Sequence, residues 1–408
     1  MNSFLHGVET IEIEKGARTI KTVKTAVIGL VGTAPIKEMD EANQKINEPT
    51  LILNEIDAVK YFGAPTDGYT IPQALKAIFD QGAGVVIVIN VYDPKKHENV
   101  AAVKSGDIIG AIDAETGKRT GMKAFENSYS LFGYYPKTII APVFCEEVAV
   151  VTEMQTLCDK IRAIGLVDAP VGTTVQDAIK GRGSEGTINF NTSSDRIVLC
   201  YPHLKVYDAA TDKNILEPYS QRLAGVIAAK DIDKGYHWSP SNTQINGIVG
   251  VEKQLTSMIN DPTSEVNALN EAGIVTVFNS YGSGFRTWGN RSAAFPTSTK
   301  VTNFINVRRT ADILNESVEY SMLQFIDFPI DNGLIDSITE SVNAFIRTLI
   351  GRGALIDGKC YYNPDKNPVT EIANGHLVFD VEFMPPTPAE RITFESFIDI
   401  ELLKSLGE

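Results

Sequence analysis

Leu377-Val378-Phe379-Asp380-Val381-Glu382-Phe383 alternates strictly, with Leu377, Phe379, Val381 and Phe383 facing one way and Val378, Asp380 and Glu382 the other. A proline-rich turn follows, Met384-Pro385-Pro386-Thr387-Pro388. The alternation then resumes, with Ile392, Phe394, Ile398, Ile400 and Leu402 set against Arg391, Thr393, Glu395, Asp399 and Glu401. Runs of period two mark half-buried strands. The second strand is expected to run almost to residue 408, where chains fray unless something ties them down. A long apolar-faced strand left as an open edge invites aggregation. It must pair inside its own domain or with another subunit, and that choice decides what the protein is for.

At 408 residues the chain is long enough for two or three domains and a substantial core. Its 43% hydrophobic and 22% charged residues are those of an ordinary globular protein, which excludes disorder and collagen-like repeats. The 37 basic and 51 acidic side chains give a net charge of −14, which argues against nucleic acid as the main partner. The longest apolar runs, such as residues 85–91, are far too short to span a bilayer. Residues 1–7 lack the basic region and apolar core of a signal peptide. The four cysteines (Cys145, Cys158, Cys200 and Cys360) form no CxxC pair, and they read as reduced, buried residues of a cytoplasmic protein.

Working back from the C-terminal stretch, a helix is expected from Leu334 to Ile350, with Ile335, Ile338, Val342, Phe345, Ile346 and Leu349 on one face. Another is expected before it, where Val307, Ala311, Leu314, Val318, Met322 and Phe325 recur at three- and four-residue steps. Pro329 and Gly333 separate the two. This part therefore reads as α+β. The body before it reads as α/β. Strands are expected at residues 25–31, 85–91, 137–144, 166–171, 196–206 and 274–278, and helices at 72–81, 146–164, 175–180 and 219–229. Such alternation predicts a mostly parallel sheet covered by helices on both faces. Between residues 104 and 136 the rhythm breaks, and a small β-rich insertion is expected. Residues 1–24 read as an extended arm with one short strand, in which Ile11 and Ile13 alternate with acids and are followed by Lys15, Arg18, Lys21 and Lys24. The divisions are then 1–24, 25–300, 301–388 and 389–408.

No catalytic motif survives scrutiny. Gly181-Arg182-Gly183-Ser184-Glu185-Gly186 spells GxGxxG but follows a helix and precedes a strand, the reverse of a dinucleotide site, so a flexible loop is expected. Gly117-Lys118 is followed by Arg119, where a phosphate loop needs Ser or Thr. The five histidines (His6, His97, His203, His237 and His376) are scattered, and no GxSxG elbow is present. Asp312 and Glu316 lie one helical turn apart and read as part of a solvated face. Three polar and aromatic clusters remain, namely residues 238–242 (WSPSN), 287–291 (TWGNR) and 306–309 (NVRR). They are expected to form a packed seam with buried Trp and hydrogen-bonded Arg. No cofactor and no metal are expected.

These clusters, in this order, together with His6-Gly7-Val8-Glu9, the run AVIGLVGTAP at residues 26–35, residues 113–121 and Leu269-Asn270-Glu271-Ala272-Gly273-Ile274, resemble the tail sheath proteins of contractile-tailed phages and phage-tail-like bacteriocins. One departure is Ser292, where the family commonly has Thr. The resemblance implies an outer α/β domain, an inner α+β domain seated on the tail tube, and terminal arms that complete the sheets of neighbouring subunits. It assigns strand exchange to Ile11, Ile13, Ile392, Phe394, Ile398, Ile400 and Leu402. By the same analogy, tube contact falls to the 334–350 helix and the loop after it, with Arg347, Arg352 and Lys359. Gly16 and residues 385–388 are the expected hinges. The implied partners are other copies of the chain, the tail tube protein, and baseplate and tail terminator proteins, with no nucleic acid and no membrane insertion. The implied location is the virion tail, or a bacteriocin particle, assembled in the host cytoplasm. The rival readings are a doubly wound enzyme, the sheath of a related injection or secretion system, and a non-contractile tail or capsid protein.

Overall fold

The computed structural model describes residues 19–183, 185–209, 211–280 and 282–406. In chain order the strands are β1 (Ile28–Gly32), β2 (Thr50–Ile52), β3 (Val86–Asn90), β4 (Thr138–Ile140), β5 (Ile164–Asp168), β6 (Ile197–Cys200), β7 (Leu204–Asp208), β8 (Lys213–Glu217), β9 (Gly250–Val251), β10 (Ile274–Ser280), β11 (Gly284–Trp288), β12 (Asp357–Tyr362) and β13 (Phe379–Met384). The helices are α1 (Glu55–Phe62), α2 (Ile71–Phe79), α3 (Ser105–Ile109), α4 (Ser128–Phe132), α5 (Val148–Ile161), α6 (Val175–Lys180), α7 (Tyr219–Asp233), α8 (Glu265–Glu271), α9 (Ile305–Met322), α10 (Asn332–Gly351) and α11 (Val369–Ala373).

The body is built on one sheet with strand order β11-β10-β6-β5-β4-β1-β3-β2. Its six inner strands are parallel, and β2 and β11 close the two edges as antiparallel partners. Strands buried on both faces read as near-continuous apolar runs, and β1, β3 and β6 are fully buried. Ile28, Leu30, Val86 and Val88 pack on one side with Phe62, Leu75 and Leu223 of α1, α2 and α7. Val31, Ile87 and Ile89 pack on the other with Met154 and Leu157 of α5 and with Met122 and Phe125. Gly29 is required by this second layer, because a Cβ there would stand 2.7 Å from Ile139 Cδ1 and 3.1 Å from the Phe125 ring.

A second unit follows residue 300. Helix α9 starts in the body, with Ile305 in the core beneath α7, and ends in a separate cluster where Leu314 meets Val342, Phe345, Ile346 and Leu349 of α10. The hairpin β12–β13 lies on α10 and contributes Cys360, Val381 and Phe383 to the same cluster. Ile20 joins it from the other end of the chain. Residues 19–24 therefore do not extend away as an arm. Val23 N–H donates to Ser317 Oγ at 3.2 Å, and the Lys24 ammonium sits over the Tyr134 ring. Ile11, Ile13 and Gly16 lie outside the described residues.

Several expectations are corrected. The region 104–136 is helical, comprising α3, the 3-10 stretch Gly121–Asn127 and α4, and its β content is one isolated bridge between Ile112 and Arg119. The small β unit lies elsewhere, as the three-stranded sheet β8-β7-β9. The single strand expected over 196–206 is two strands in different sheets, broken at Tyr201-Pro202-His203, where Pro202 cannot donate to a ladder. The strand expected from Ile392 to Leu402 does not form in the isolated chain. Residues 391–399 have no regular structure, and Ile400–Ser405 is a 3-10 helix.

Candidate assembly interface

The hairpin β12–β13 is a two-stranded sheet on an amphipathic helix. Lys359 stands opposite Glu382 and pairs with it at 3.2 Å on the solvent face, while Cys360 and Val381 oppose each other on the α10 face. Its two edges differ. On β12 the Asn343 side chain of α10 receives Cys360 N–H at 2.7 Å and donates to Cys360 C=O at 2.8 Å, so that edge is capped at its centre. In an antiparallel ladder successive residues point their backbone groups alternately toward and away from the partner strand. With Cys360 and its opposite Val381 pointing outward, Phe379, Val381 and Phe383 present their N–H and C=O groups along the outer side of β13. No hydrogen bond caps them among the described residues. Open strand edges of this kind are templates for pairing.

The seam between the two units gathers all three clusters of residues 238–242, 287–291 and 306–309. Thr287 Oγ1 donates to Pro240 C=O at 2.6 Å, and Gly289 N–H to Ser241 Oγ at 3.0 Å. Asn290 Nδ2 donates to Asn306 Oδ1 at 2.8 Å. Arg309, buried, grips Asp231 with two nitrogens. The expected seam is there, but neither of its tryptophans is buried. Trp288 stacks on Phe278 with centroids 4.7 Å apart, whereas Trp238 is 51% exposed.

The chain leaves the seam after β13. Pro386 C=O accepts from Asn306 Nδ2 at 3.1 Å, and Glu390 accepts from Arg291 Nε and Nη2 at 3.1 and 2.6 Å. Every described residue after Glu390 is exposed. Ile392 is 69% exposed, Phe394 89%, Ile400 73% and Leu402 70%, and Ile398 is fully exposed. Five large apolar side chains with strand spacing thus project into solvent, well above the scattered surface apolar residues of a monomer.

The expected tube-facing cations lie on the surface of the second unit. Arg347 on α10 pairs with Glu340, Lys359 pairs with Glu382, and Arg352 caps the C-terminal end of α10. Two of the three therefore already hold a carboxylate.

A row of ion pairs fastens α9 to the body. Lys137, Arg162 and Arg196 stand just before β4, β5 and β6, at the N-terminal ends of adjacent strands. They meet Glu316, Glu319 and Asp312 on one face of the helix. Arg196 is bidentate to Asp312 at 2.6 and 2.9 Å, and Arg308 adds a third contact at 2.7 Å. Asp312 and Glu316 are buried, not solvated as expected. Burial lowers the Lys137 ammonium and raises the Glu316 carboxyl, and each partly offsets the other's shift.

At the opposite, C-terminal ends of the strands, a doubly wound enzyme would keep free backbone amides for a ligand. Here Thr33 N–H is taken by Thr70 Oγ1 at 3.1 Å and Ala34 N–H by Asn90 Oδ1 at 3.0 Å. The GxGxxG loop is not loose either, since Arg182 Nη2 donates to Ala293 C=O and Phe295 C=O at 2.8 and 2.7 Å. A compact ionisable group does lie at the end of β5. His203 is 3.8 Å from Glu146 and 3.9 Å from Glu252, and buried Asp168 receives Ser220 N–H at 2.7 Å. Burial, with Asp168, Glu147 and Glu252 nearby, pushes the Glu146 carboxyl up to about 7. The four cysteines are free and buried, and burial raises the thiol of each. Among the described residues no helix is long and apolar enough to cross a membrane, and no group of His, Cys, Asp and Glu is arranged to hold a metal.

Residues 117–293 match the family model of the phage tail sheath protein central domain, and residues 297–399 that of the phage tail sheath C-terminal domain. The chain belongs to the phage tail sheath family. It is 46% identical to the tail sheath protein of Burkholderia phage BcepMu over 99% of this chain and 98% of the relative. It is 29% identical to the tail sheath protein of Escherichia phage P2 over 100% and 98%. Among solved structures, the helical sheath of the anti-feeding prophage in its contracted state superposes with a TM-score of 0.71 at 18% identity, covering 98% of this chain and 100% of that one. The sheath of the extracellular contractile injection system PVC, also contracted, gives 0.69 at 16% identity over 98% and 99%.

Proposed function

We infer that the chain is the structural subunit of a contractile tail sheath, which polymerises helically around a tail tube and shortens to drive the tube through a target envelope. The observation that carries this reading is that a member of the sheath family holds two complementary parts in one chain. One is a strand-patterned apolar arm that pairs with no strand among the described residues, and the other is a hairpin whose β13 edge no described residue caps. A donor strand and an acceptor edge at different places on one subunit make a heterologous contact, which does not close and so builds a filament. Residues 391–402 then acquire in the polymer the strand that their sequence encodes, through Ile392, Phe394, Ile398, Ile400 and Leu402, and Ile11 and Ile13 do the same at the other end. Burying the five C-terminal side chains is worth roughly 1.5–3 kcal/mol each, on the order of 10 kcal/mol in all. Ordering the arm removes much of that. One link is modest and a lattice of them is strong.

In this reading the body (residues 25–300) faces outward and the second unit (residues 301–388) faces the tube, with Arg347, Arg352 and Lys359 toward acidic tube residues. Baseplate and terminator proteins hold the two ends, and the particle is a virion tail assembled in the host cell. The role is structural, not enzymatic, in keeping with the occupied amides at the end of β1. A sheath of a related injection system is the second reading, favoured by the likeness in shape to two such sheaths.

Negative-stain electron microscopy with and without the cognate tube protein tests the proposal. The full chain is expected to form striated tubes, and a chain ending at Glu390 to form none. Arg347→Glu/Arg352→Glu should assemble alone but lose tube-templated assembly. Striated tubes from the truncated chain would remove the arm from the mechanism, and unimpaired assembly of the charge-reversed chain on tubes would remove the two arginines.

A further inference from the structure

We propose that Asn306 and Arg291 are positioning residues that set the point where the C-terminal arm leaves the protein, holding residues 386–390 down so that the free strap begins at Arg391. The proposal rests on the reading of residues 391–406 as an exchanged arm. Asn306 is buried and its side chain is fully committed: Oδ1 accepts from Asn290, and Nδ2 donates to His237 C=O at 2.9 Å and to Pro386 C=O at 3.1 Å. That is the first anchor.

The second lies four residues on. An exposed ion pair is ordinarily worth little, because two long side chains must be ordered to make it. Arg291 is already ordered. Its guanidinium lies 3.7 Å from the centroid of the Phe304 ring and 4.4 Å from that of Phe295, and its backbone bridges to Phe304. A planar guanidinium held against aromatic faces offers a fixed fork to a carboxylate, and both oxygens of Glu390 occupy it. Only the Glu390 side chain loses freedom. Glu390 N–H donating to Pro388 C=O at 2.9 Å tightens the segment between the anchors. Past Glu390, among the described residues, the hydrogen bonds of residues 391–406 run only among themselves.

Pro385, Pro386 and Pro388 therefore brace the root, and the pivot lies at Glu390–Arg391 instead of at residues 385–388. Opening the clasp would hand residues 387–390 to the strap, lengthening its reach by about 14 Å at ~3.4 Å per residue. The clasp thus fixes both the length and the direction in which the arm is offered to a neighbour.

Nitroxide labels at Ala389→Cys and, separately, at Thr393→Cys of the full chain test this, since the native thiols are buried. The expected result is a slow label at 389 and a fast one at 393. Glu390→Ala should make 389 as fast as 393, leave the melting temperature of the monomer unchanged, and cut the rate of tube formation several-fold; Glu390→Asp should restore part of both. A label at 389 that is fast in the parent chain, or that stays slow in Glu390→Ala, overturns the clasp. A released label with undiminished assembly overturns the positioning role. If the parent chain forms no tubes even with its tube protein, the sheath reading fails, and the labels still decide the anchor.

Discussion

Glu146 shows how little of a residue's chemistry its own neighbours in sequence dictate. Its pKa is raised by burial first and then by Asp168, Glu147 and Glu252, and of these three Asp168 and Glu252 come from distant positions at the ends of β5 and β9. Nothing in the local run around Cys145 signals that convergence. The consequence for stability has a definite sign. Between its ordinary value of 4.5 and about 7, the folded protein keeps a proton that the unfolded chain has released. That contribution is complete below pH 4.5 and is lost as the pH rises through 7. Glu316 and Asp168, raised by the same burial, act in the same direction. Melting temperatures measured from pH 5 to pH 8 are therefore expected to fall less steeply for Glu146→Gln than for the parent chain. Parallel curves would show that Glu146 titrates as an ordinary surface acid.

At the scale of elements, what the sequence discloses is whatever repeats with a period. The apolar stripe of α9, from Val307 through Leu314, and the continuous runs of β1 and β3 are legible because each residue's burial follows from its spacing. The carboxylates on α9 are not. Asp312 and Glu316 have the spacing of a solvated face, and only the strand starts at Lys137 and Arg196 reveal them as buried partners. The short elements β2 and α1 have too few residues for a period to show, and the helical turns of residues 104–136 read as strands for the same reason. The arm is the instructive case. Its alternation is that of a strand, but a strand needs a partner, and residues 391–399 pair with no strand among the described residues. The ion pairs of α9 give a test at this scale. Removing one partner, as in Lys137→Met, leaves a buried charge uncompensated and should cost about 3–5 kcal/mol in urea unfolding. Lys137→Met/Glu316→Leu should recover most of it. A double variant as unstable as the single one would mean that the pair itself, not the stranded charge, holds the helix.

At the scale of the whole molecule, the proposed function assigns stability and assembly to separate residues. The large sheet ends in the short antiparallel strand β2 on one side and in β11 on the other, and the apolar arm projects from the second unit. Ile398→Asp/Ile400→Asp changes side chains that touch almost nothing in the free chain. Its melting temperature is expected to match that of the parent, while tube formation is lost. A lowered melting temperature would place the arm inside the subunit's own fold.

Helix α9 carries a mechanical implication. Apolar packing fixes a helix by the shape of its side chains, whereas ion pairs fix it by matching particular charges. The anchors on α9 permit no sliding, since Asp312 is gripped by Arg196 from the body and by Arg308 from its own helix, and Glu316 and Glu319 are each matched to a different strand start. A displacement of one helical turn would break all three attachments at once. Load applied along α9 would therefore pass into the strand ends of the large sheet without a change of register.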